Sequence, residues 1–287
     1  MSEQQPNPHP APAHEPPPIP GADGEAWKRV QLARHPQRPT FTEWAAALFT
    51  DFNELHGDRR FADDAAIVGG FARFRDREVM AIGQQKGRDI KEKVRRNFGM
   101  PQPEGFRKAL RLMRLAEKFR RPVLTFIDSS GAYPGIEAEE RGQAEAIALN
   151  LREMARLKVP IIATVTGEGQ SGGALAIAVA NQVLMLENAI YSVISPEGCA
   201  SITWRDANMK AKAAEALKPT AADMLQLRLV DEVVAEPPVG AHADPAAAAK
   251  LLGDALERGL DAMASMAPEA LCQSRYQRLR NLGSYFS

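Results

Sequence analysis

The densest run of residues with chemical potential is TVTGEGQSGGALAIAVA, where the apolar stretch Ile161 to Val165 meets Gly167, Gly169, Gly172 and Gly173 before a series of small residues. Without Cβ atoms a backbone can turn tightly, lie close to a ligand and aim the free N–H groups of a first helical turn at negative charge. Two chemistries use such a turn: holding a pyrophosphate, and stabilising an oxyanion that forms during a reaction. Gly167, Gly169 and Gly172 satisfy G-x-G-x-x-G between a strand and a helix. Glu187 falls 20 residues after Gly167, where a ribose-binding acid of a dinucleotide site would stand. A third reading needs no ligand, with the glycines serving only close helix packing.

A second segment, IDSSGAYPGIEAEERGQ, has the same layout. Its strand ends at Asp128, and Gly131, Ala132, Tyr133, Pro134 and Gly135 form a loop before an acidic helix start. Glu137, Glu139 and Glu140 suit the dipole of a first helical turn. Asp128 is placed either to orient the Gly131 loop or to make a structural hydrogen bond. Two glycine-bearing turns after parallel strands would set two groups of backbone donors around one crevice. His35, His56 and His242 are scattered along the chain and are read as surface or structural. Cys199 is read as a small buried residue.

The remaining pattern supplies elements to carry these loops. Thr40 to Leu55 has amphipathic helix spacing, and Ala66 to Phe74 with Glu78 to Ile82 read as paired strands about a turn at Arg75 to Arg77. Helices are predicted over Glu104 to Phe119, Ile136 to Leu157 and Gly172 to Ala180, alternating with strands over Val123 to Ile127, Ile161 to Val165, Val183 to Leu186 and Ile190 to Ile194. Ser195-Pro196 gives an N-cap with proline at the first helical position. The last part reads as helical over Asp206 to Leu217, Thr220 to Leu227, Pro245 to Met263 and Pro268 to Leu282, with Val230 to Val234 strand-like between. The order predicts an α/β fold with a mostly parallel sheet and ligand chemistry at the carboxyl ends of its strands. Residues 1–24 are expected to be a disordered tail, since the first 20 residues hold 8 of the 21 prolines. Residues 25–240 are expected to form the main domain and 241–287 a C-terminal helical region.

Lys+Arg and Asp+Glu both number 36 in 287 residues, so nothing in the overall charge draws the chain to nucleic acid or an anionic membrane. The longest apolar stretch, Ala174 to Ala180, has 7 residues, short of the roughly 20 that span a bilayer. Two cysteines, Cys199 and Cys272, support neither a disulfide framework nor a four-thiolate metal site, which suits a reducing cytoplasm.

The two glycine segments belong to a longer ordered series: LARHPQRP, GDRRFADDAAIVGG, QKGRDIKEKVRRNFGMPQPEG, FIDSSGAYPG, AEERGQAEAIALNLREM, GEGQSGGALAIAVA, YSVISPEGCASITW and RYQRL. Over about Leu32 to Leu279 the sequence resembles the α subunit of the bacterial acetyl-CoA carboxylase carboxyltransferase. The resemblance implies a crotonase-like fold of stacked ββα units and assembly with a β subunit, as a likeness to an α2β2 heterotetramer. It implies zinc on the β subunit and none on this chain, and carboxybiotin presented by a carrier protein that a biotin carboxylase charges. The implied reaction gives malonyl-CoA from acetyl-CoA for fatty-acid synthesis, in the cytoplasm, with the α subunit forming the biotin side of the site.

In that chemistry negative charge develops on the ureido oxygen and the biotin nitrogen takes the methyl proton, so no side-chain base is required. Gly172 and Gly173 match the family's oxyanion-hole position. The resemblance places Gly131, Ala132, Tyr133, Pro134, Gly135, Gly169, Gln170 and Ser171 along the substrate. Lys86 to Arg96 holds Lys86, Arg88, Lys91, Lys93, Arg95 and Arg96 against Asp89 and Glu92. This run is either a solvated face or a contact for CoA phosphates or an acidic partner, and Lys86 and Arg88 are its candidates for substrate contact. The sequence departs from the family at Gln170, where glycine is common, and at Ser129-Ser130, where Thr-Pro commonly precedes the glycine. It departs again at the proline-rich tail, in place of a helical extension. A dinucleotide-binding oxidoreductase, and a scaffold made inactive by Gln170, are the alternative readings.

Overall fold

Residues 24–282 are described in the computed structural model of the chain, so the predicted tail, apart from Gly24, lies outside the described residues. Helix α1 (Glu25–Ala33) is followed by α2 (Phe41–Leu48) and strand β1 (Thr50–Glu54). The helix predicted to reach Leu55 therefore stops early: Phe49 is extended at φ −121°, ψ 150°, and the chain enters an antiparallel pairing. Side-chain periodicity could not foresee this. The β1 backbone lies directly over Gly70, where any Cβ would strike Asn53, and the pairing carries a bulge between Thr50 and Asn53.

The predicted hairpin is present as β2 (Ile67–Phe74) and β3 (Arg77–Gln84), in register from Ile67 opposite Gln84 to Phe74 opposite Arg77. Next come α3 (Ile90–Arg95), a short 3-10 turn, α4 (Pro103–Lys118) and β4 (Val123–Ser129). The single helix expected over Ile136 to Leu157 is two, α5 (Ile136–Glu140) and α6 (Gln143–Met154). Gly142 breaks it by taking a left-handed φ of 82°, a conformation that costs glycine no Cβ clash.

Strand β5 (Ile161–Gln170) is longer than predicted and buried along its whole length. It leads into α7 (Ser171–Leu175), β6 (Gln182–Leu186), β7 (Ile190–Ser192) and α8 (Pro196–Trp204). Ser195 caps α8 as expected, its Oγ accepting the Gly198 N–H at 3.1 Å. A second 3-10 turn, α9 (Lys210–Leu217), α10 (Ala221–Gln226), β8 (Glu232–Val234), α11 (Pro245–Met263) and α12 (Pro268–Arg280) complete the described chain.

Among the described residues the strands form one sheet in the order β1-β2-β3-β4-β5-β6-β8, with β7 also on β5. The pairings from β3 onward are parallel, so the carboxyl ends of β3, β4, β5 and β7 come to one side. Parallel strands are covered on both faces and read as continuous apolar runs, as Val123 to Ile127 and Ile161 to Val165 do. One large core unites the sheet with α2, α4 and α11. Phe41 lies against Gly83, where a Cβ would overlap its ring, and its ring is tilted against that of Phe126 with centroids 5.3 Å apart. Helix α11 belongs to this same core through Ala248, Leu252, Leu256, Leu260 and Met263, so the described part of the C-terminal helical region shares the main interior.

Candidate active site

At the carboxyl end of β5 the chain turns sharply into α7, and Ser171 takes a left-handed φ of 52° at the bend. The first N–H groups of a helix have no partner within it. Among the described residues, no turn, loop or cap hydrogen bond uses the N–H of Gly172 or Gly173. The neighbouring turn, after β4, reaches the same place. A Cβ at Gly173 would fall on the Gly131 carbonyl carbon and lie 2.6 Å from the Ala132 nitrogen, so the two loops touch through main chain alone. Gly131 itself has φ 140°, and nothing lies within 4 Å of the position its Cβ would take. Two backbone turns therefore meet with open space beside them, the arrangement that oxyanion stabilisation needs. On the Ser171 side a groove of about 410 Å³ opens, walled by Leu175, Val179, Tyr191, Val193 and Leu229.

The Gly131 loop is organised by Ser129. Its buried Oγ donates to the Gly131 carbonyl at 2.6 Å and accepts the Gly131 N–H at 3.1 Å. A hydroxyl thus closes the turn that a proline would stiffen through its ring. The Tyr133 N–H donates to the Pro101 carbonyl, and the Tyr133 carbonyl accepts from Gln143. Pro134 is exposed and Gly135 caps α5. Gly169 packs against the Tyr191 ring. Gln170 is 1% exposed, with neither amide atom partnered among the described residues. Its side chain is folded into the protein.

Sequence reasoning missed the charged cluster directly behind these turns. Lys86 Nζ lies 2.7 Å from Asp128 and 2.8 Å from Glu168, whose other oxygen takes Arg34 Nε at 2.7 Å. Arg34 reaches on to Glu197 at 2.7 Å. Burial alone would raise the Glu168 carboxyl, but Lys86 and Arg34 outweigh it and hold it at about 2. Burial likewise lowers the Lys86 ammonium, and the two carboxylates reverse that and raise it above its usual range. Asp128 Oδ1 also accepts the Glu168 N–H at 2.9 Å, so Asp128 ties β4 to β5 and makes no bond to the Gly131 loop. The two candidates from the basic run both have partners in the chain. Lys86 sits in this cluster, and Arg88 bonds the Pro36 carbonyl and Glu43.

The dinucleotide reading meets a geometric obstacle. Gly167 and Gly169 lie inside β5, not in a turn, and a Cβ at Gly167 would strike the Asp128 carboxylate, so that glycine makes room for an acid. Glu187 is engaged by Arg29 and by the Glu236 N–H. His35 and His242 are not scattered in space: their rings stack at 3.8 Å. Cys199 is half-buried on α8. Among the described residues no group of three or more His, Cys, Asp or Glu side chains is placed to hold a metal ion, and no helix is long and apolar enough to cross a membrane.

The chain matches, over residues 22–283, the family described as acetyl co-enzyme A carboxylase carboxyltransferase-like. It is 60% identical to the acetyl-coenzyme A carboxylase carboxyl transferase subunit alpha of Halorhodospira halophila, over 90% of this chain and 81% of that one. To the Thermus thermophilus protein of the same name it is 59% identical over 90% of this chain and 83% of that one. Among solved structures it is similar to transcarboxylase 12S with hydrolysed methylmalonyl-coenzyme A bound, at TM-score 0.65 and 18% identity, covering 83% of this chain and 45% of that one. It is also similar to a Pseudomonas malonate decarboxylase hetero-dimer, at TM-score 0.62 and 19% identity, covering 77% of this chain and 90% of that one.

Proposed function

Since the chain belongs to the acetyl-CoA carboxylase carboxyltransferase α-subunit family, with its crotonase-like fold, we propose that it works with a β subunit to carboxylate acetyl-CoA to malonyl-CoA. The observation that carries this reading is the meeting of two strand-end turns, with Gly173 against the Gly131–Ala132 peptide and, among the described residues, no turn, loop or cap bond taking the Gly172 or Gly173 N–H.

Carboxybiotin on its carrier protein supplies the carboxyl group. A neutral ring system with a polar urea oxygen asks for main-chain donors beside an apolar wall, and the turn next to the Leu175–Val179 groove offers both. Gly172 and Gly173 donate to the oxygen on which charge grows as the carboxyl group departs, each such bond contributing about 2.7 to 4 kcal/mol at the transition state. Ser129 keeps the facing Gly131–Ala132 peptide in place. No side chain of this chain is needed as the base. The β subunit brings most of the acetyl-CoA contacts and the zinc, the place of action is read as the cytoplasm, and the complex is read as α2β2. In that frame residues 25–240 carry the catalytic fold and 241–287 brace it.

Mixing the purified chain with a β subunit, a carboxybiotin carrier and acetyl-CoA should give malonyl-CoA above the β-only control. No product would defeat the proposal. Restoration of turnover only after Gln170→Gly would favour a scaffold that binds the β subunit without catalysing.

A further inference from the structure

We infer that Gln84, at the carboxyl end of β3, is a positioning residue that sets the orientation of the Gly172–Gly173 turn, an inference that rests on the carboxyltransferase reading for its consequence in turnover. Gln84 is 1% exposed. Its Nε2 donates to the Gly173 carbonyl at 2.6 Å, and its Oε1 accepts the Asp128 N–H at 3.1 Å. Because one partner is an acceptor and the other a donor, only one orientation of the amide satisfies both.

The need for such a residue follows from the shortness of α7. A helix of 5 residues cannot define its own axis by internal bonds. At its end the Ile177 N–H turns to the Ala174 carbonyl at 3.2 Å, which leaves the Gly173 carbonyl without an N–H from the following turn. Buried side chains from elsewhere take the carbonyls instead. Asn150 on α6 takes that of Ala176 at 3.1 Å, Thr125 on β4 takes that of Ile177 at 2.7 Å, and Gln84 takes that of Gly173. Of the three, only Gln84 grips the turn that holds the paired glycines. In a helical turn carbonyls and N–H groups point to opposite ends, so a carbonyl drawn to Gln84 turns the glycine N–H groups the other way. Through the Asp128 N–H the same amide registers this turn against the end of β4, from which the Gly131 loop departs.

The test uses the reconstituted complex with Gln84→Met, which keeps length and loses both bonds, and Gln84→Glu, which keeps the acceptor and loses the donor. Thr125→Val releases the chain just beyond the same helix, at Ile177, and serves as the control. Both Gln84 variants are expected to lower kcat per assembled complex between about tenfold and a hundredfold, with KM for acetyl-CoA held within about twofold. Thr125→Val should stay near the parent. Full kcat in Gln84→Met, or equal losses in Gln84→Met and Thr125→Val, would overturn the inference in favour of general packing. Amide exchange decides independently of the reaction: the Ala176 N–H, which closes the turn on the Gly172 carbonyl, should exchange faster in Gln84→Met than in Thr125→Val. Unchanged exchange there would refute the clamp even in an active complex. A parent chain that makes no malonyl-CoA but shows the exchange difference would instead refute the carboxyltransferase reading and leave Gln84 holding the turn.

Discussion

A methyl group at Gly172 and one at Gly173 would meet very different surroundings. At Gly172 the nearest atom is Ile147 Cδ1 at 3.3 Å, the far end of a flexible side chain. At Gly173 it is the Gly131–Ala132 peptide, which cannot give way without moving the facing loop. Gly173→Ala should therefore lower kcat by about a hundredfold while assembly with the β subunit survives, and Gly172→Ala should cost far less, as steady-state kinetics beside gel filtration would show. These glycines were legible in the sequence because few purposes require four glycines at a strand end. Gln84 and Ser129 were not. Glutamine and serine serve many roles, and the Gly173 carbonyl that gives Gln84 its role lies 89 residues away.

Strand β5 joins the site to the interior, and its charged member tests that link. Glu168 is 6% exposed and shared by Lys86 and Arg34. Glu168→Gln removes a buried carboxylate from two half-buried cations that keep Asp128 and Glu197 as partners, which should cost about 1 to 3 kcal/mol in thermal or denaturant unfolding at neutral pH. The pH dependence has a definite sign. A carboxylate held at about 2 in the fold contributes stability above its ordinary value of 4.5, and that contribution fades as pH falls from 4.5 toward about 2. The parent should lose stability across that window more steeply than Glu168→Gln. The sequence made the strand plain through its apolar run, but the acid stood among glycines and its partners came from the segments just after α1 and just after β3. Helix ends were also less legible than helices. Gly142 carried the signal for the break between α5 and α6, whereas the stop at Phe49 depends on β2 lying alongside.

Across the whole molecule, the alternation of strands and helices made the parallel sheet readable, and the ordered motifs foretold the fold of the solved relatives. The division at residue 240 followed helix periodicity, which cannot tell a separate helical unit from helices that close a shared core. Leu256 on α11 is fully buried in that core. Leu256→Ala should lower stability by about 2 to 5 kcal/mol, and the complete chain should melt in one transition, with a separate early step for the C-terminal helices counting against a shared interior. The contact of Gly167 with Asp128 reaches beyond any one protein. An acid at 128 occupies the volume that a side chain at 167 would claim, and the same acid answers Lys86. Substitution histories at these two sites are thereby yoked: a lineage gains a larger residue at 167 most readily after surrendering the acid, passing through an ancestor whose Lys86 is left with Glu168 alone. Wherever a descendant has made that exchange, a lysine at 86 should survive only beside an acid at 168.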